Sequence, residues 1–371
     1  MALTGQKIAV VGGGLGGLCA ALCMRARGAD VTVYEASRGF GEVGAGIQVS
    51  ANGLRVLRAL GLDPSGAVRS QGLTLNNSRG GRVAILPNTA KREVRLFHRA
   101  DLLALLADGC RAAGVEIAFS TRLTPDTAPA ADLLVAADGV RSAFRSHVAP
   151  AHAAPSYAGQ TAWRALVTPP NPVGEAGVNV YMGAGQHVVV YPIRGGTRIN
   201  IVAVDDTGTQ TPEGWQNATT RDALVARFAQ FGGPVPALLT RAEEVNRWGL
   251  FRHTLPHRWS EGRVVLLGDA AHAMLPSLAQ GACAAFEDAW ELARCWDDFA
   301  DPDTALGTYE RRRAPRVARV MAEAQANATR FHHANAVTRA LGHSALKLGS
   351  RLAPALFERR YSWLYDFDPT A

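Results

Sequence analysis

The stretch Lys7 to Glu35, KIAVVGGGLGGLCAALCMRARGADVTVYE, restricts the fold of this chain more than any other. Ile8 to Val11 is a short apolar run rich in β-branched residues, the pattern of a buried parallel strand. It enters a glycine turn with the spacing G-x-G-x-x-G at Gly12, Gly14 and Gly17. Leu18, Ala21, Leu22 and Arg25 then fall at helical spacing, and Val31 to Tyr34 supplies a second strand ending at Glu35. Each part suits a bound dinucleotide. Gly12 permits the tight turn, Gly14 admits a pyrophosphate to the backbone, and Gly17 lets helix and strand pack closely. The helix that follows the glycines points its free N–H groups at the phosphates, and Leu15, inside the turn, is a cofactor-binding candidate with Gly12, Gly14 and Gly17. Glu35 follows about 20 residues after the glycines, where a carboxylate accepts hydrogen bonds from a ribose hydroxyl.

With 371 residues, the chain can form one large discontinuous domain or two domains with sizeable cores. Its 47% hydrophobic and 19% charged residues are those of an ordinary globular protein. The net charge of +7 comes almost wholly from arginines spread along the sequence. No basic run is interleaved with aromatics, so a nucleic-acid partner is not expected. The charge fits an arginine bias or an anionic ligand drawn to a positive field. Arg311, Arg312 and Arg313, with Arg316 and Arg319, read as a solvated helix face.

Five cysteines form no C-x-x-C pair and show no metal-ligand spacing, which suits buried free thiols in a reducing cytosol and no metal. No apolar run reaches 18 residues, so no membrane span is expected. The N-terminus leads straight into a strand, which reads as the absence of a signal peptide and a cytoplasmic protein.

Further along, a glycine-rich loop covers Gly39 to Gly46, Ile47 to Val49 reads as a strand and Ala51 to Leu60 as a helix. Gly72 to Ala84 and Val94 to Phe97 read as a hairpin-like pair, and Asp101 as the N-cap region of a helix over Leu102 to Ala113. Val115 to Phe119 and the apolar run Asp132 to Ala137 are strands, the latter ending at Asp138-Gly139. From Tyr157 to Val204 the pattern changes to alternating strands, with Gly195-Gly196 as a hairpin signal, so an antiparallel sheet is expected. Ala218 to Phe231 and Ala237 to Ala242 look helical. Val264 to Leu267 is again a buried strand, followed by Asp269, a long helix from Ala282 to about Phe299, and helices to the end.

The expected fold class is therefore α/β: a Rossmann-like nucleotide-binding part, a second, mostly antiparallel sheet, and a helical C-terminus. The domain boundaries read as 1–70, 95–155 and 255–350 for the first, 71–94 and 156–254 for the second, and 351–371 for a terminal helical segment.

Three motifs stand in order: the glycine fingerprint with Glu35, DGVRSAFR at Asp138 to Arg145, and GDAAHAMLPSLAQGACAAFEDA at Gly268 to Ala289. Together they resemble the single-component FAD-dependent aromatic hydroxylases typified by p-hydroxybenzoate hydroxylase. GEVGAGIQVSANG, AWRALV, the H-x-x-x-Y strand before RGG, and the ending SWLYDFDPTA resemble the subgroup with salicylate hydroxylase, 3-hydroxybenzoate 6-hydroxylase and 6-hydroxynicotinate 3-monooxygenase.

The resemblance implies non-covalent FAD, with NADH or NADPH as a transient co-substrate that has no domain of its own. It implies FAD contacts from Arg38, Gln48, Arg99, Asp138 and Asp269, and a flavin-side loop running from Pro276 to Gly281 and Ala282. His272 reads as a packed or capping residue. Alternation in Gln186 to Ile193 puts His187 and Tyr191 on one strand face, their Cα atoms roughly 13 Å apart. In the resembling enzymes that pair lines the substrate pocket, so His187 and Tyr191, with Gln48 and Pro276, are the catalytic candidates.

The implied reaction is hydroxylation of a small hydroxylated aromatic or N-heteroaromatic acid by NAD(P)H and O₂ through a flavin C4a-hydroperoxide, in a monomer or homodimer. Two alternatives are a tailoring oxygenase for a larger polycyclic or polyketide substrate and a flavin-binding protein without turnover.

Overall fold

The computed structural model describes residues 3–41, 46–89, 92–152, 154–174, 176–211, 217–353 and 359–371. Four residues of the glycine-rich stretch, 42–45, therefore lie outside the described residues. The chain forms three sheets. The first runs Ser260–Glu261, Val264–Leu266, Leu133–Ala136, Lys7–Val11, Asp30–Tyr34 and Glu116–Ala118, parallel except for its first pair. Leu133–Ala136 is buried at every position, as a strand covered on both faces must be. The helices Leu15–Arg25 and Gly281–Asp298 pack together on this sheet.

The glycine turn shows why the fingerprint needs glycine. Gly12 has φ of 100°, and a β-carbon there would stand 2.5 Å from the carbonyl oxygen of Ala137. At Gly17 a β-carbon would stand 1.9 Å from the carbonyl oxygen of Gly12. Neither position tolerates a side chain, because each is pressed against backbone that cannot give way.

The second sheet has seven strands in the order Glu243–Arg252, Ser156–Val167, Arg198–Asp206, Gln186–Ile193, Val178–Gly183, Gly72–Asn77 and Arg82–Pro87. Every pair is antiparallel except Val178–Gly183 with Gly72–Asn77. One face, with Trp163, Ala165, Val188 and Ala203, packs on Leu224, Phe228 and Leu239 of two short helices. The other face carries Ala162, Val180, Val189 and Val202 toward the first sheet's carboxyl side, where a cavity opens.

Several expectations are corrected. Gly72 to Ala84 is not one strand paired with Val94 to Phe97. Gly72–Asn77 turns back on Arg82–Pro87, because the Asn77 carboxamide oxygen accepts from Arg79 and Gly81 N–H across a left-handed Gly80. Val94–His98 pairs instead with Gly46–Ser50 in a three-stranded sheet. The helix Arg99–Ala112 starts earlier than expected, capped by His98, whose Nδ1 accepts from Ala100 N–H at 3.2 Å, while Asp101 lies in its first turn. The two helices after residue 217 are shorter than expected, Arg221–Arg227 and Val235–Leu239.

The arginine stretch on the helix Pro302–Phe331 is not simply solvated. Arg313 is buried and bridges Glu287 and Asp288, each at 2.7 Å, and Arg316 adds two bonds to Glu287. The apolar spacing around it hides this, because the acids that face it lie on another helix.

All five cysteines are buried and free. Among the described residues no helix is long and apolar enough to cross a membrane.

Candidate active site

Two of the sequence motifs are tied together by one buried side chain. The Arg145 guanidinium donates to the carbonyls of His152, Thr254, Ala270 and Ala271 at 2.5–2.8 Å. A planar fork of five donors suits four converging carbonyls in a way that a lysine ammonium does not. The loop after Leu133–Ala136 is thus held against the segment after Val264–Leu266, at the carboxyl ends of adjacent parallel strands. That is where open α/β sheets place ligands.

A cavity of about 940 Å³ opens there. Gly14, Leu15, Gln48, Arg99, Asp138 and Asp269 line it, as do Pro276, Gly281 and Ala282. His187 and Tyr191 line it from the seven-stranded sheet. Gly12, Gly17, Glu35 and Arg38 do not. The two glycines shape the turn, Arg38 is exposed, and Glu35 accepts from Gly13 N–H and Ser37 N–H, each at 2.7 Å. Glu35 thereby fastens the glycine turn to the end of the second strand.

The donor set suits FAD. A β-carbon at Gly14 would meet nothing within 4 Å, so the turn's outer side is open to a pyrophosphate at the start of Leu15–Arg25. Asp138 Oδ2 accepts from Ala143 N–H at 2.8 Å, whereas its buried Oδ1 has no hydrogen-bond partner among the described residues. Burial outweighs that bond and raises the Asp138 carboxyl above its usual range. Burial likewise lowers Arg99, and the nearby Asp269 partly restores it. His272 stays outside the cavity, fully buried, with Nε2 2.6 Å from Asp288 Oδ2.

At the other end the wall is apolar apart from a few polar groups. Burial pushes the Tyr191 phenol up to about 12, against the opposing pull of Arg164 and a hydrogen bond with Gln48. Burial, and then the neighbouring His332, hold His187 well below its ordinary value. His187 is therefore a neutral imidazole at pH 7 and Tyr191 a neutral phenol.

Arg164, in AWRALV, also lines the cavity, its guanidinium 5.1 Å from the centroid of Trp248. Burial lowers it to about 10, which leaves it cationic at neutral pH. Sequence reasoning did not single it out as a site residue. The signal was there: alternation in Ala162-Trp163-Arg164-Ala165 sets Arg164 opposite the core-facing Trp163. His332 and Asp206, described below, carried no such signal, since their partners come from distant segments.

The sequence matches the family described as "FAD binding domain" over residues 6–324. It is 38% identical to 3-amino-4-hydroxybenzoate 2-monooxygenase of Streptomyces cremeus, over 88% of each chain. It is 32% identical to salicylate hydroxylase of Pseudomonas putida, over 98% of this chain and 93% of the relative. Among solved structures, Klebsiella pneumoniae HpxO in complex with FAD and uric acid superposes with a TM-score of 0.82 over 95% of this chain and 96% of that one, at 27% identity. On a match that spans most of its length, and on relatives above 30% identity across nearly all of it, the chain belongs to the FAD-binding-domain family of flavin-dependent aromatic hydroxylases.

Proposed function

We propose that the chain hydroxylates a small aromatic or N-heteroaromatic acid that already bears a ring hydroxyl, using NADH or NADPH and O₂. The observation that carries this reading is a single cavity shared by the glycine turn, the Pro276 to Ala282 segment, and the strand-borne pair His187 and Tyr191. The substrate class is supported by the relatives, which are named for aminohydroxybenzoate and salicylate oxidation.

Gly14 and Leu15 would hold the pyrophosphate of FAD, with Gly12 and Gly17 shaping the turn. Glu35 and Arg38 would hold the adenosine side, and Arg99, Asp138 and Asp269 the chain toward the ring. Gln48, Pro276, Gly281 and Ala282 would flank the flavin. Residues 1–70, 95–155 and 255–350 are then the FAD-binding part, and 71–94 and 156–254 the substrate part. Bound FAD supplies reduction by the nicotinamide and activation of O₂.

The chain's own residues do the rest. Val180, Met182 and Val189 line an apolar slot that excludes water from an aromatic ring. Tyr191, kept protonated by burial, donates to a substrate oxygen. Arg164 provides a fixed positive charge that favours a carboxylate or phenolate over neutral rings. His187, neutral at pH 7, accepts the ring hydroxyl's proton.

The experiment is steady-state NAD(P)H oxidation with product analysis against a panel of hydroxylated benzoates and hydroxypyridine carboxylates. Coupled product from at least one acid is expected. NAD(P)H oxidation that no acid stimulates, with no hydroxylated product, would remove the reading.

A further inference from the structure

His187 is held from behind by a residue 145 positions away. Its Nδ1 lies 2.5 Å from Nε2 of His332, and Nδ1 of His332 lies 2.7 Å from Oδ1 of Asp206. Gln160 Nε2 donates to the same Asp206 oxygen at 3.0 Å. Exposure rises along the line: both histidines are buried, whereas the Asp206 side chain is 51% exposed. The three groups thus form a continuous hydrogen-bonded path from the cavity wall to solvent.

The carboxylate fixes where the protons sit. Burial disfavours its charge, but His332, Gln160 and Arg227 hold Asp206 below the usual carboxylate range, so it accepts. Two groups meet His332 Nδ1, the Asp206 carboxylate at 2.7 Å and Gln160 Nε2 at 3.2 Å; the shorter contact, to the anionic acceptor, favours the proton on Nδ1 and a lone pair on Nε2. That lone pair faces His187 Nδ1, which must supply an N–H. His187 is left with a lone pair at Nε2, an atom with no hydrogen bond to any described residue, on a side chain that lines the cavity. The tautomer logic is that of a carboxylate orienting a basic imidazole, lengthened by one ring.

The surroundings favour a charge that passes through rather than one that stays. His332 is the C-cap of the 30-residue helix Pro302–Phe331, whose C-terminal end stabilises a transient imidazolium. Around His187 stand the Phe331 ring, Met182 and Val204, and the only ionisable group in hydrogen-bond contact among the described residues is His332. Arg330 and His333 line the same cavity, and Arg330 is paired with Glu323. Arg227 faces the acid end, binding Asp205 at 2.6 Å and the Asp206 carbonyl at 3.1 Å.

We propose that His187, His332 and Asp206 form a proton relay that takes the hydroxyl proton of the bound substrate to solvent. The proposal rests on the hydroxylase reading above. As the substrate O–H breaks, an N–H forms at His187 Nε2. The Nδ1 proton of His187 passes to His332 Nε2, and the Nδ1 proton of His332 leaves through Asp206 to water. Both rings end neutral with their tautomers exchanged, the substrate is a phenolate, and one proton is in solvent. The reverse shift restores the tautomers when the product oxygen is protonated. His187 touches the substrate in this scheme, whereas His332 and Asp206 are positioning residues.

The test uses the full-length, FAD-loaded chain with ¹⁵N-labelled histidine, and its Asp206→Asn and His332→Gln variants. Ring-nitrogen NMR should find His187 protonated at Nδ1 and bare at Nε2, a state that both variants disturb. Hydroxylation of the panel acid that the parent turns over should slow by about 10- to 100-fold near neutral pH in both variants. The deficit should close as pH rises toward about 10, where a phenol ionises without help, and anaerobic flavin reduction should be unchanged. An N–H at His187 Nε2, or variant pH profiles that overlay the parent's, overturns the relay. The NMR result needs no substrate. A bare Nε2 with no acid hydroxylated therefore supports the proton arrangement and counts against the hydroxylase reading alone.

Discussion

Gly46 packs against the ring of Tyr191: a β-carbon built on Gly46 would stand 2.5 Å from Cε2 and 2.8 Å from the phenol oxygen. The same β-carbon would stand 2.8 Å from Cγ of Asn200, whose Oδ1 accepts from Gly46 N–H at 2.6 Å. Gly46 opens a strand of the three-stranded sheet, and Tyr191 and Asn200 are cross-strand partners in the seven-stranded one. Bare backbone at residue 46 is therefore what lets the two sheets meet at the cavity wall.

Gly46→Ala should displace Tyr191, since overpacking a tight contact costs about 1–3 kcal/mol and the ring is the movable partner. The expected result is a lower melting temperature and a larger share of NAD(P)H consumed as hydrogen peroxide. Gly39→Ala is the control, because a β-carbon there meets nothing within 4 Å. Equal coupling in the two variants would show that Tyr191 does not depend on Gly46.

Asp269→Ala should lower FAD retention on gel filtration. Asp269 lines the cavity beside Arg99, whose charge it supports against burial. Removing the acid takes away a hydrogen-bond acceptor and an opposing charge that supports the buried arginine, a penalty FAD binding must absorb. Glu35→Ala should weaken FAD binding as well, by loosening the glycine turn at Gly13, yet saturating FAD should restore anaerobic reduction. Full flavin occupancy in purified Asp269→Ala would contradict the first expectation.

The parallel sheet was readable from sequence because its signals are local. Ile8 to Val11, Leu133 to Ala136 and the fingerprint glycines each announce themselves within a few residues. The face shared by His187 and Tyr191 followed from period-two alternation alone. What was not readable depends on pairs distant in sequence. Nothing in Val94 to His98 says that its partner is Gly46–Ser50 rather than Gly72–Asn77. Nothing near Arg313 names Glu287 and Asp288, so a buried ion-pair network reads as a charged surface. His332 sits at a helix end where a capping role is the ordinary reading, and only tertiary structure brings it 2.5 Å from His187.

His187→Ala should slow hydroxylation by about 10²–10⁴-fold, the range for losing a general base, with anaerobic flavin reduction preserved. Tyr191→Phe should chiefly weaken orientation, because a phenol held near 12 is a donor and not a base at neutral pH. The two variants should therefore part company: a rate loss in the first, a coupling loss in the second. Product formed per NAD(P)H oxidised, measured beside single-turnover reduction, separates them. Parent values for both would reduce the pair to sheet packing.

Arg313→Met should destabilise the fold by about 3–5 kcal/mol, because it takes the shared cation from two buried carboxylates and leaves Arg316 alone on Glu287 and His272 alone on Asp288. The pH dependence gives the sharper test. Burial opposes the charges of Glu287 and Asp288, yet Arg313, with Arg316 on one and His272 on the other, holds both below their ordinary values. A depressed carboxylate contributes stability that is present above its unfolded pKa, about 4, and is lost as pH falls through the folded value. The parent should accordingly lose stability below about pH 4. In the variant the lowering that Arg313 supplies is gone from both acids, so their folded values move up toward the unfolded one and less stability is left to lose on acidification. The gap between variant and parent should therefore narrow as pH falls from 7 through the carboxylate range. Urea melts across that range check it, and a gap that stays constant or widens would mean that Arg313 is not what keeps these acids ionised.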